Sequence, residues 1–197
     1  MPVRVVLGAE VLARPRVRDV ALALAEDGLY QPFWSDGIIV DADRRLPPEM
    51  PRAARDYLFA ELERAFPEAR VTWPATVLRE VPLVVDPEQS HVTSVALLAH
   101  ADAVVTDTAA VADSLDLVDV EPWTPDAFVT FVLDATPRPA LHALLRMVRR
   151  RWLQHDDSAS PDDPDLLARL SGWARRALGP SSADLLDAHA TRAGLWW

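Results

Sequence analysis

Apolar positions change their spacing along the first two thirds of the chain, and the changes mark out elements. Val3 to Leu7 is a short unbroken apolar run, the pattern of a strand buried on both faces. From Val17 to Tyr30 the spacing is helical, with Val17, Val20, Ala21, Leu24 and Ala25 on one side and Gly28 as the stop. Ser35 caps a second helix, because its hydroxyl can accept from the orphan amides of a first turn, and that helix runs through Ile38, Ile39 and Ala42 until Pro47 and Pro48 end it. Pro51 to Phe66 is amphipathic, with Ala54, Tyr57, Leu58, Leu62 and Ala65 as its stripe. "ARVTW" and "VPLVV" are β-rich candidates, the second interrupted by Pro82. A helix from Ser90 through "SHVTSVALLAHA" precedes a strand in "DAVVTD". This order predicts a parallel α/β sheet with right-handed crossovers.

Beyond "PWTPDAF", read as a turn leading into a helix through Leu133, the pattern is helical only. Ala140 to Leu153 is one helix, a second follows the start signal Ser160-Pro161, and Ser181 to Arg192 is a third. The polar, acidic, Pro-containing "QHDDSASPDDPD" connects the first two. The expected division is an α/β domain over residues 1–135 and an all-helical extension over 136–197. Charges interrupt every apolar run well short of the roughly 20 residues that span a bilayer. The N-terminus also lacks an export pattern, so a cytoplasmic protein without membrane contact is expected.

Composition narrows the chemistry. With no cysteine among 197 residues, disulfides, thiolate metal sites and a Cys nucleophile are excluded. Lysine and asparagine are absent too, so all 20 basic residues are arginines, each suited to bidentate contact with phosphate or carboxylate. A formal charge of -10 argues against a protein that coats nucleic acid nonspecifically, while leaving local basic patches free to act.

The blocks "VVLGAEVLARPRVRDVALALAEDGLYQPFWSDGIIVDADRRL", "LVVDPEQSHVTSVALLAHADAVVTD" and "VEPWTPDAFV" resemble a PIN domain, in particular the VapC-type toxins whose PIN fold carries a helical C-terminal extension. "FWS" at 33–35 and the "SHV" to "ADAVVT" block are the most specific parts of the resemblance. It implies a PIN-like parallel sheet flanked by helices. It also implies ribonuclease chemistry, in which carboxylates at the C-terminal edge of the sheet hold one or two Mg²⁺ or Mn²⁺ ions that activate water. Hard divalent cations of this kind select oxygen ligands.

Set against that family pattern, the acidic centre is degenerate. Where the first strand would end in aspartate stands Gly8, with Glu10 two residues on; Asp41 matches the acid of the second helix; Gln89 and Val111 occupy two further acid positions. A shifted site would draw on Glu10, Asp41, Glu88 and Asp107, with Asp113 also near, and Mg²⁺ or Mn²⁺ would be its cofactor; the degenerate site calls for none.

Each candidate has a plainer explanation. Gly8 relaxes a strand end, Asp41 alone is a solvated helix residue, and His91 and His100 flanking a helix are packed or capping residues. Arg14, Arg16 and Arg18 after the first strand, with Arg44 and Arg45 at the end of the second helix, form either a phosphate-binding rim or ordinary solvated charge balanced by Asp19, Asp41 and Asp43. Arg146 with Arg149 to Arg151 complements a helix C-terminus, and the terminal Trp196 and Trp197 call for a docking surface. The expected function is that of a catalytically inactive or impaired PIN-type protein that binds RNA or a protein partner. The resemblance implies a VapB-like antitoxin or a second copy of the chain as that partner. The alternatives are an active metal-dependent endoribonuclease toxin of a type II toxin-antitoxin system and a regulatory interaction protein with no nucleic-acid role.

Overall fold

The computed structural model describes residues 2–72, 90–116, 118–153 and 166–193. The chain falls into two compact units, one of Met1–Pro15 with Tyr30–Thr124, the other of Arg16–Leu29 with Pro125–Trp197.

The first unit holds a parallel four-stranded sheet flanked by helices, in the order β2-β1-β3-β4, with β1 at Arg4–Leu7, β2 at Gln31–Phe33, β3 at Ala103–Val105 and β4 at Glu121–Trp123. Val5, Val6 and Leu7 of β1 pair with Ala103, Val104 and Val105 of β3, and all six are fully buried. Each Val or Leu so buried contributes about 1.5–3 kcal/mol, which makes this pair the anchor of the sheet. The outer strands each contain a proline, Pro32 and Pro122, and an edge tolerates this because one side of an edge strand needs no donor. The sequence pattern predicts neither outer strand: Tyr30 is not the end of a helix, and "EPW" is a strand where a turn is expected.

Two short helices are also additions to the sequence reading: α1 at Ala9–Ala13 and α6 at Ala109–Leu115. The others of this unit follow it closely. Ser35 caps α3, Asp36–Arg45, by accepting the Ile38 amide at 3.3 Å. α4 spans Arg52–Ala65 and α5 spans Ser90–Leu98. The predicted stripe of α4 is corrected, since only Leu62 of its five residues is buried and Tyr57 is 68% exposed. Of "ARVTW", Arg70 bridges to Trp34 without forming a strand, whereas Trp73 and all of "VPLVV" lie outside the described residues.

The second unit is helical. α2, Pro15–Glu26, buries Val17, Val20, Ala21, Leu24 and Ala25 as its spacing predicts. It stops at Gly28, whose φ of 69° lets the Leu29 amide turn back to the Leu24 carbonyl at 3.1 Å. The remaining helices are α7 at Pro125–Ala135, α8 at Pro137–Met147, α9 at Leu166–Ala177 and α10 at Pro180–Ala193. Here α9 packs on α10 and α7 on both α8 and α10. Beyond α8 the chain widens into a π-helical turn, Val148–Trp152, closed by a bond from the Leu153 amide to the Val148 carbonyl at 3.2 Å. Arg146 pairs with Asp27, and Arg151 with Asp19 at 2.9 Å, tying α2 to the end of α8. The Ser160-Pro161 start signal and Trp196 and Trp197 lie outside the described residues.

Among the described residues, no helix is long and apolar enough to cross a membrane.

Candidate functional site

Parallel strands bring all their C-terminal ends to one edge, where open α/β sheets bind ligands. β1 ends there at Leu7, and Gly8 turns the chain at once into α1. Glu10 therefore stands in the first turn of a helix, not two residues further along a strand as alternation would place it.

Gly8 holds its position for a steric reason. Its amide still donates to the Val105 carbonyl at 2.9 Å, continuing the β1–β3 ladder by one bond. A Cβ at this residue would lie 2.8 Å from that same carbonyl oxygen and 2.8 Å from Glu10 Oε1. The first contact is with backbone and cannot swing away, so no other residue fits without a shift of the strand. The space a side chain would need is taken by the Glu10 carboxylate.

That carboxylate is held from β3. Glu10 Oε1 accepts the Thr106 hydroxyl at 2.5 Å and the Asp107 amide at 3.0 Å, while Thr106 Oγ1 accepts the Thr108 amide at 3.1 Å. One turn beyond Glu10, Arg14 pairs with the Asp107 carboxylate at 2.6 Å and donates through Nε to the Glu10 carbonyl at 3.2 Å. The Arg14 and Asp107 side chains are 40% and 44% exposed, so this pair faces solvent.

Asp41 belongs to a different group. Its Oδ2 lies 3.3 Å from His91 Nε2, its Oδ1 accepts Arg44 at 3.1 Å, and its carbonyl accepts Arg45 at 3.1 Å. The approach of α5 to α3 leaves little room at Gly37, where a Cβ would stand 3.1 Å from His91 Cδ2.

The structure thus brings together Glu10, Asp107 and Arg14 and places Asp41 with His91, Arg44 and Arg45. Val111 is a core residue of α6, 3% exposed, with its carbonyl accepting the Ser114 hydroxyl. Glu88 and Gln89 lie outside the described residues. Among the described residues, no three His, Asp or Glu side chains are placed to hold one metal ion. Among the described candidate donors, Glu10 Oε1 takes two hydrogen bonds, Asp107 Oδ2 takes Arg14, and Asp41 faces both His91 and Arg44.

The five arginines of the expected rim divide between the two units. Arg14, Arg44 and Arg45 contact acids or carbonyls of the first unit. In the second unit Arg16 lies over the Trp152 ring at 5.1 Å. Burial pushes the Arg18 pKa down, against the attraction of Asp19 and with the repulsion of Arg151. Thr106 is the functional neighbour that sequence reasoning passes over, since a threonine ending an apolar strand carries no local signal of a partner 96 residues away. No family model matches this chain, and comparison with curated proteins and with solved structures returns no match.

Proposed function

We propose that this is a PIN-type protein of the VapC-like layout whose sheet-edge centre no longer hydrolyses phosphodiesters, and that it acts in the cytoplasm by binding RNA or a protein partner. The observation that supports the reading most is the position of the Glu10 carboxylate over Gly8, held by Thr106 and by the Asp107 amide. An acid that would serve a metal in an active relative here joins α1 to β3. Its neighbour Asp107 is neutralised by Arg14, leaving a paired charge at the edge instead of a cluster of like charges.

Of the two classes of ligand, a protein partner draws support from Val40 on α3 and Tyr57 on α4, which are 48% and 68% exposed in the first unit. RNA draws support from the exposed guanidinium of Arg14 at the ligand-binding edge. The second reading, an active endoribonuclease with shifted carboxylates, is favoured by one fact: Glu10 and Asp107 adjoin at the sheet edge.

The test is an RNA cleavage assay on the full chain with Mn²⁺ or Mg²⁺, run beside a binding titration at two salt concentrations. Our reading predicts no cleavage above that of a Glu10→Ala variant. Cleavage that Glu10→Ala abolishes would restore the enzyme. Binding that weakens steeply with salt would identify RNA as the ligand.

A further inference from the structure

We draw no further inference here: the strongest candidate, the surface patch on α4 around Tyr57, which is 68% exposed, carries nothing because nothing in the structure shows what covers it.

Discussion

The carboxylate of Glu10 occupies the space that a side chain on Gly8 would need, with Oε1 2.8 Å from the position of the missing Cβ. The two residues are therefore coupled: the acid can sit over the strand end only because the strand ends in glycine. The Val105 carbonyl, also 2.8 Å from that position, makes the requirement independent of how Glu10 moves.

Gly8→Ala is expected to destabilise the protein by about 1–3 kcal/mol, the usual cost of forcing an extra carbon into a packed site. Urea denaturation measures it. Removing the Glu10 side chain as well should recover only part of the loss, because the clash with the Val105 carbonyl persists.

Glu10 and Thr106 should be energetically coupled. Glu10→Ala and Thr106→Val each remove one partner of the 2.5 Å hydrogen bond, and a double-mutant cycle is expected to return about 1 kcal/mol of coupling. Glu10→Gln keeps an oxygen acceptor for the Thr106 hydroxyl and should cost less than Glu10→Ala.

These couplings show where the sequence is informative and where it is not. β1, β3, the Ser35 cap and the Gly28 stop are read correctly because each depends on residues within one turn or one strand. The outer strands β2 and β4 escape notice because each has three residues including a proline, and their pairing with inner strands supplies what local propensity does not. Gly8 and Glu10 are legible as an unusual pair, but their partners Thr106 and Asp107 lie nearly a hundred residues away. The grouping of residues 16–29 with the C-terminal helices rests on similarly distant contacts, such as Asp19 with Arg151 and Arg16 with Trp152.

Ser35→Ala is expected to cost about 1 kcal/mol through loss of the cap on α3, measurable by thermal or urea denaturation. Ser35→Asp keeps an acceptor for the Ile38 amide and should cost less than the alanine variant.

Asp126 supports α10 from a distance. Its carboxylate accepts the Ser182 amide at 2.9 Å, the Ser182 hydroxyl at 2.6 Å and the Ser181 amide at 3.1 Å, in the first turn of that helix. Burial opposes ionisation of this residue, which is only 9% exposed, but the hydrogen bonds from Ser182 and Ser181 outweigh it and hold the pKa below the ordinary aspartate value. A pKa depressed in the folded state contributes stability above the unfolded value of about 3.9, and that stability is lost as pH falls through the folded value. Asp126→Asn should therefore destabilise most near neutral pH, and the gap from the parent should narrow as pH falls below about 4 in denaturation series. Gly179→Ala should destabilise as well, because its Cβ would collide with the Asp126 carboxylate.

The central claim of the proposed function is that Glu10 serves to join α1 to the end of β3 and does not hold a catalytic metal. Calorimetric titration of the full chain with Mn²⁺ and Mg²⁺, beside Glu10→Ala and Asp41→Ala, tests it directly. Our account predicts no saturable binding, or weak binding that neither variant changes. Tight binding that disappears in Glu10→Ala or Asp41→Ala would contradict it and favour the alternative reading, a metal-dependent ribonuclease.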